Sequence, residues 1–185
     1  MESIIEFSHN VLLRNLSRDD VVLDMTVGNG KDTLFLVKHF KFVYGFDIQE
    51  VACTKANELL KGYSNYKIIN DSHLYFDRYV KEEFAGAIFN LGYLPGGSKE
   101  IHTEVDVVLE TVKKVLKKII KGGVCVLVFY PGFPSGLEEA KVIESYLRNI
   151  NQKEFTVLKY EFINQINNPP YVVAVKVRIW ERLLE

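Results

Sequence analysis

Short apolar runs rich in β-branched and aromatic residues alternate along the chain with longer amphipathic stretches. This rhythm is typical of a parallel β-sheet covered by helices on both faces. The runs predict seven strands, at Val21–Met25, Phe42–Asp47, Tyr66–Asn70, Ala85–Leu91, Val124–Tyr130, Phe155–Phe162 and Tyr171–Ile179. The stretches around them predict helices at about residues 1–16 and near Lys31–Phe40, Glu50–Lys61, His73–Lys81, Thr103–Lys121 and Ser135–Arg148. The pattern therefore predicts an α/β fold.

The last two predicted strands follow one another without a helical stretch between them. Their connection contains Asn164–Pro170, which is rich in residues that favour turns. We therefore expect these two strands to pair as an antiparallel hairpin. A mostly parallel sheet that ends in such a hairpin differs from the six-parallel-strand dinucleotide-binding fold.

Length and composition favour a single enzyme-like domain over residues 1–185. The chain is 48% hydrophobic and 25% charged, a balance typical of soluble globular proteins. Its net charge of −1 gives no general attraction to polyanions, so RNA binding would need a local patch. The distant Cys53 and Cys125 lack the spacing of a zinc site, which predicts buried, reduced thiols and no metal. An acidic N-terminus and the lack of an apolar run of about 18 residues predict no membrane span and a cytoplasmic location.

Glycine and polar residues follow the first predicted strand, at the edge where doubly wound sheets bind their ligands. Gly28 and Gly30 let the backbone turn tightly and approach a ligand, although such a pair is also compatible with a simple turn. Thr33 stands where a dinucleotide fingerprint has its third glycine, which disfavours NAD and FAD. The candidate cofactor residues of this segment are Asp24, Thr26, Gly28, Asn29, Gly30 and Asp32.

Polar residues also end the second and third predicted strands. Asp47 lies about 20 residues beyond the glycines, where a carboxylate can accept hydrogen bonds from both ribose hydroxyls of a nucleoside. Its alternative role is to cap the following helix, and Gln49 in the same segment is a further cofactor candidate. Asp71 and Ser72 are candidates for adenine recognition or, equally, caps of the next helix. His73 could lie near the adenine or the amino-acid moiety of the cofactor.

These motifs resemble those of class I S-adenosylmethionine (SAM)-dependent methyltransferases, and the resemblance covers the whole chain, including the terminal hairpin. The loop Asn90-Leu91-Gly92-Tyr93 is similar to the Asn-Pro-Pro-Tyr loop of methyltransferases that act on amino nitrogens, with Leu91 and Gly92 in place of the prolines. Together with Asp24–Gly30, Phe46–Gln49 and Asn164–Pro170, this loop resembles a small bacterial family labelled rRNA methylase.

The resemblance implies a Rossmann-like fold, SAM as the cofactor and the anticodon region of tRNA as the partner. The family includes an enzyme that methylates 5-aminomethyl-2-thiouridine at the tRNA wobble position, so the implied product is 5-methylaminomethyl-2-thiouridine. Two alternatives stay open. One is a methyltransferase for ribosomal RNA or a small amine, and the other is a non-catalytic domain that binds SAM or RNA.

The candidate catalytic residues are Asn90, Tyr93 and His102. Methyl transfer is an in-line displacement that mainly requires alignment, but a primary amine must first lose a proton. Asn90 and the backbone at Leu91 could accept amine hydrogens, and Tyr93 could contact the base. His102 is a candidate general base, because histidine's usual pKa of about 6.5 lies near working pH. Its alternative role is to cap or precede the next helix.

Substrate contacts are expected from three loops. Leu91, Gly92 and Tyr93 lie beside the amine, and Phe133 could stack on a splayed-out nucleotide or belong to a Pro/Gly-stiffened loop. Amides in the last connection suit base or ribose edges, although turn formation also explains such residues. These amides belong to Asn164, Gln165 and Asn167. His9 and His39 are interpreted as surface or packing residues, and the N-terminal helix with the hairpin edge could support a homodimer.

Overall fold

The strands with the most continuous apolar sequence lie at the centre of the sheet. Every residue of Val124–Phe129 is buried, and so is every residue of Val21–Asp24. Strands covered by helices on both faces require such continuous burial. The run Phe155–Tyr160, in contrast, has several exposed residues and forms an edge strand.

A computed structural model describes residues 1–92 and 105–179 of the chain. Its strands are β1 Val21–Asp24, β2 Phe42–Asp47, β3 Tyr66–Asn70, β4 Gly86–Leu91, β5 Val124–Phe129, β6 Phe155–Tyr160 and β7 Tyr171–Val177. Its helices are α1 Ile4–Asn15, α2 Lys31–His39, α3 Glu50–Leu59, α4 Phe76–Tyr79, α5 Val105–Lys118 and α6 Pro134–Asn149. The seven strands form one sheet in the order β3-β2-β1-β4-β5-β7-β6, and β7 runs in the opposite direction to the other six described strands.

Helices cover both faces of this sheet. Phe76 of α4, Val112 of α5 and Ile143 of α6 belong to the apolar core on one face. Leu12 of α1 and Leu36 of α2 belong to the core on the other face. The predicted α/β fold with a mostly parallel sheet and a C-terminal hairpin is therefore confirmed. Cys53 and Cys125 are free and buried, as expected.

The sequence predicts one helix over the segment His73–Lys81, and this prediction is wrong because the structure has two shorter elements there. The chain instead makes a 3-10 turn at His73–Tyr75 and then the single turn of α4. The Nζ of Lys114 donates to the carbonyl of Leu74 at 2.7 Å, so this carbonyl is bound from outside the segment. Val80 then takes an extended conformation and ends the helix.

The order of the strands creates a switch point between β1 and β4. From β1 the chain builds outward through β2 and β3, and from β4 it builds in the opposite direction. The carboxyl ends of these parallel strands meet at one edge of the sheet, at this switch point. Ligands bind at such switch points in open α/β sheets. Among residues 1–92 and 105–179, no helix combines the length and apolar character needed to cross a membrane.

Candidate active site

The loop between β1 and α2 depends on its glycines. Gly28 has a φ of 53° and Gly30 a φ of 76°, conformations that side chains disfavour. A Cβ at Gly30 would lie 3.0 Å from both the Cα and the Cβ of Ala56 in α3. The loop therefore runs tightly against α3 and leads directly into the N-terminus of α2.

Asp24 supports this loop from beneath. Its side chain is fully buried, and its Oδ1 accepts a hydrogen bond from the N–H of Thr26 at 3.1 Å. Its Oδ2 accepts one from the hydroxyl of Thr33 at 2.6 Å. Burial, together with the nearby charge of Asp32, raises the pKa of the Asp24 carboxyl. Thr33, which replaces the third glycine of a dinucleotide fingerprint, thus helps to hold the loop.

Asp47 connects the end of β2 to the same loop. Its Oδ2 accepts a hydrogen bond from the N–H of Gly28 at 2.8 Å, and its Oδ1 accepts one from the N–H of Gln49 at 2.9 Å. The residue that caps α3 is Gln49, so the alternative in which Asp47 caps this helix is wrong. A carboxylate has about four acceptor positions, so two remain for ribose hydroxyls.

The end of β3 brings Asp71, Ser72 and Tyr79 together. Asp71 accepts a hydrogen bond from the hydroxyl of Tyr79 at 2.6 Å and one from the N–H of Ser72 at 2.7 Å. The Ser72 hydroxyl accepts from the N–H of Leu74 at 3.3 Å and caps the 3-10 turn. The capping alternative for Ser72 is therefore confirmed, while adenine recognition by either residue stays a prediction.

His73 is buried behind this cluster. Its Nδ1 lies 2.8 Å from the hydroxyl of Thr111, which itself donates to the carbonyl of Val107 at 2.8 Å. The Nδ1 must therefore carry the proton and donate to Thr111. The Nε2 has no hydrogen-bond partner within the part of the chain that the structure describes. Burial lowers the pKa of His73 to about 4, so the imidazole is neutral near pH 7.

Asn90, at the end of β4, is held by residues of the glycine loop and α2. Its N–H donates to the hydroxyl of Thr26 at 2.6 Å, and its Nδ2 donates to the Oδ2 of Asp32 at 2.9 Å. The other oxygen of Asp32 lies 2.7 Å from the Nε2 of His9. Burial raises the pKa of Asp32, but the hydrogen bonds from His9 and Asn90 lower it further than burial raises it, so the carboxyl is ionised.

Sequence reasoning missed two members of this cluster, His9 and Tyr130. His9 is not the surface or packing residue that we expected, because it bonds to Asp32 across 23 positions of sequence. Tyr130 follows β5, and its ring lies against Gly92, just after the end of β4. Burial and the charge of Asp32 raise the pKa of Tyr130. Both residues come from elements distant in sequence, and no local motif marks either of them.

The predicted substrate residues fall on two neighbouring loops and the end of β4. Leu91 is buried, and Gly92 lies against Tyr130, whose Cδ2 would be 3.3 Å from an added Cβ. Phe133 is half exposed and occupies the N-cap position before α6. The carbonyls of Asn167 and Asn168 lie within 4 Å of the Cβ position of Gly132, so the β5–α6 and β6–β7 loops are adjacent.

Other predicted site residues are exposed or lie outside the described residues. Asn164 and Gln165 are exposed in the β6–β7 loop. Asn167 has a φ of 65°, which confirms the turn alternative for this residue. Tyr93 and His102 lie outside residues 1–92 and 105–179, so their catalytic roles stay predictions. Within those ranges, the structure contains no group of three or more His, Cys, Asp or Glu side chains suited to a metal ion.

Comparison with known proteins identifies the family. Residues 43–176 match the family described as "Putative rRNA methylase". The chain belongs to this family. This member of the rRNA methylase family is 32% identical over 187 residues to the chloroplastic tRNA (mnm(5)s(2)U34)-methyltransferase of Arabidopsis thaliana, and the match covers 92% of this chain and 68% of that protein.

Solved structures of similar proteins share the fold over almost the whole length of this rRNA methylase family member. A methyltransferase structure from Streptococcus mutans, in complex with SAH, matches with a TM-score of 0.90 and 37% identity, covering 96% of this chain and 99% of that one. An rRNA methylase from Streptococcus thermophilus matches with a TM-score of 0.85 and 33% identity, covering 97% and 99% of the two chains. The family member is therefore a SAM-dependent methyltransferase with the Rossmann-like fold expected from the sequence.

Proposed function

We propose that this enzyme methylates the amino nitrogen of 5-aminomethyl-2-thiouridine at the wobble position of tRNA. The product is 5-methylaminomethyl-2-thiouridine. The observation that carries the proposal is the fixed orientation of Asn90, whose side chain is bound to Asp32 and whose backbone is bound to Thr26 of the glycine loop. The name of the Arabidopsis relative, a tRNA (mnm(5)s(2)U34)-methyltransferase, supports the same substrate.

The residues around the glycine loop fit SAM. The backbone at Gly28 and Gly30 has no side chains to block a close approach, and Asp47 keeps acceptor positions for the ribose hydroxyls. Bound SAM supplies an electrophilic methyl group on a sulfonium. The remaining residues that we assign to the cofactor are Asp24, Thr26, Asn29, Asp32, Gln49, Asp71, Ser72, His73 and Asn90. Of these, Asp24 is fully buried, so its role is to hold the glycine loop in place and not to contact the cofactor directly.

The Asn90 amide suits an amine nucleophile. A carboxylate only accepts hydrogen bonds, so Asp32 fixes Nδ2 on its own side and directs the Oδ1 of Asn90 away from itself. The Oδ1 can then accept a hydrogen from the substrate amine and orient the nitrogen lone pair. A primary alkylamine is protonated near neutral pH and must lose a proton before it attacks. We assign contact with the base to Tyr93 and the role of proton acceptor to His102.

The RNA contact belongs to the adjacent β5–α6 and β6–β7 loops. Phe133 is half exposed there, and an exposed aromatic ring can stack on an unpaired base. Asn164, Gln165 and Asn167 supply amides for base and ribose edges. An anticodon loop offers unpaired bases of this kind, which favours the anticodon region of tRNA as the partner.

Labelled-methyl transfer to separate acceptors tests the substrate class. Purified protein and labelled SAM are incubated with tRNA that lacks the wobble methyl group, with ribosomal RNA and with small primary amines. We expect label in tRNA. Preferential labelling of ribosomal RNA or of an amine would support the second alternative, and SAM binding without any transfer would support the non-catalytic one.

Asn90→Ala tests the residue that carries the proposal. Loss of the amide should lower the transfer rate on the order of 100-fold, because an acceptor aimed at the reacting group is removed. Asn149→Ala is the matched control, since Asn149 is exposed and its side chain donates to the carbonyl of Ser145 within its own helix. An unchanged rate in Asn90→Ala would contradict the mechanism.

A further inference from the structure

The N-terminal helix contributes a side chain to the cluster around Asn90. The Nε2 of His9 lies 2.7 Å from the Oδ1 of Asp32, whose Oδ2 accepts the Nδ2 of Asn90 at 2.9 Å. The side chains of His9 and Asp32 are only 17% and 11% exposed. Three residues from α1, α2 and β4 thus form one continuous chain of hydrogen bonds.

The chemical groups of these side chains determine which atom donates in each hydrogen bond. The Asp32 carboxylate has no hydrogen to donate, so the Nε2–H of His9 must donate to it. The imidazole is also held from the side, because its ring stacks on Phe35 with centroids 3.9 Å apart and planes inclined by 6°. His9 therefore fixes one oxygen of Asp32, and rotation of the carboxylate away from Asn90 would break a buried hydrogen bond.

The packing of α1 does not account for this contact. Val11 and Leu12 bury the apolar side of the helix, and Ser3 and Glu6 form a capping box at its start. Tyr160 of β6 donates to the carbonyl of Glu2 at 2.8 Å. These interactions anchor α1 to the sheet without His9, so the bond to Asp32 is an additional feature.

We propose that His9 is a positioning residue for methyl transfer. It holds the Asp32 carboxylate in the rotamer that orients the Asn90 amide toward the substrate amine. This inference rests on the proposed function, since it assigns His9 a part in the same site. His9 acts through Asp32 and Asn90, and its loss leaves the bond between Asp47 and the glycine loop intact. Because we assign the ribose contact to Asp47 and the close approach of the cofactor to the loop backbone, the loss should lower the rate of transfer more than the affinity for SAM or tRNA.

Two substitutions of His9 distinguish the contribution of its hydrogen bond to Asp32 from that of its ring stacking on Phe35. His9→Phe keeps an aromatic ring to stack on Phe35 but has no donor for Asp32. His9→Gln keeps an N–H donor on a side chain of similar reach. We expect His9→Phe to lower kcat on the order of tenfold, with the Kd for SAM and the KM for tRNA within about twofold of wild type. His9→Gln should restore most of the lost kcat.

His39→Phe is the matched control. His39 also contacts the Phe35 ring, at a centroid distance of 4.5 Å, but its Nδ1 lies 2.8 Å from the carbonyl of Phe35 in its own helix. Its substitution should leave kcat unchanged. Thermal unfolding of all three variants shows whether a fall in kcat accompanies a loss of folded protein.

The double variant His9→Phe with Asn90→Ala tests whether His9 influences kcat through Asn90. If His9 acts through Asn90, the His9 substitution should cause no further loss in the Asn90→Ala background. Three results would overturn the inference. His9→Phe could have the kcat of wild type, His9→Gln could lose as much kcat as His9→Phe, or the losses of kcat in the double variant could be additive. Absence of transfer by the wild-type protein would instead overturn the proposed function.

Discussion

At the residue scale, three carboxylates around one loop have three different environments. Asp24 is fully buried and holds the loop from beneath through Thr26 and Thr33. Asp47 ties the end of β2 to the loop through Gly28. Asp32 is bound between His9 and Asn90. The number and kind of hydrogen-bond donors around each carboxylate decide which of them supports the backbone and which can serve a ligand or a catalytic side chain.

The buried carboxyl of Asp24 predicts a pH-dependent stability. Because its pKa is raised in the folded protein, the stabilising protonated form is present at low pH and is lost as the pH rises through the folded-state pKa. Asp24→Asn removes this titration. The free energy of unfolding of the variant, relative to wild type, should increase between pH 5 and pH 8 by on the order of 1 kcal/mol.

Chemical denaturation at the two pH values measures this difference. Asp19→Asn is the control, because Asp19 is exposed in the turn before β1. A relative stability of Asp24→Asn that stays constant or falls from pH 5 to pH 8 would contradict the raised pKa.

Asp47 is predicted to govern cofactor affinity. Asp47→Ala removes both the predicted acceptor for the ribose hydroxyls and the hydrogen bond that holds the N–H of Gly28. A hydrogen bond to a charged group contributes about 1.5–3 kcal/mol, so the Kd for SAM should rise by at least about tenfold. Isothermal titration calorimetry measures this change, with Asp19→Ala as the control. Wild-type affinity in Asp47→Ala would exclude the ribose role.

Local motifs predicted some of these residues and missed others. Asp47 and Asn90 lie at the carboxyl ends of predicted strands, at the edge where ligands bind, so the sequence alone indicated them. His9 reaches Asp32 from α1, and Tyr130 lies beside Gly92 after the end of β5. Only the packing of these elements on the sheet brings them together, and a single sequence carries no signal for that proximity.

At the element scale, the apolar pattern predicted the sheet better than it predicted the short helix. A strand buried on both faces, such as β5, needs a continuous apolar run, and this requirement is visible in the sequence. The segment after β3 has a helical pattern, yet the contact between Lys114 and the carbonyl of Leu74 comes from α5. Tertiary contacts of this kind routinely outweigh the helix propensity of a short segment.

The tight packing of the glycine loop on α3 predicts a costly substitution. Gly30→Ala and Gly62→Ala both place a side chain at positive φ, but an added Cβ at Gly62 has nothing within 4 Å. The Cβ at Gly30 would lie 3.0 Å from Ala56. Gly30→Ala should therefore destabilise the protein by about 1–3 kcal/mol more than Gly62→Ala, measured by chemical denaturation. Equal losses would show that the loop can move away from α3.

At the scale of the whole molecule, the strand order brings the glycine loop, Asp47 and Asn90 together at the edge of the sheet where β1 and β4 form the switch point. The family and its relatives establish a SAM-dependent methyltransferase. A single domain over residues 1–185, a cytoplasmic location and a homodimer stay predictions. A net charge of −1 gives the whole molecule no general attraction to polyanions.

The most direct test of the central claim is mass spectrometry of the modified nucleoside. Purified protein is incubated with SAM and tRNA that carries 5-aminomethyl-2-thiouridine, and the tRNA is then digested to nucleosides. We predict that 5-aminomethyl-2-thiouridine disappears and 5-methylaminomethyl-2-thiouridine takes its place, and that Asn90→Ala leaves the starting nucleoside largely unchanged. A protein that binds SAM and leaves this nucleoside unmethylated would contradict the account.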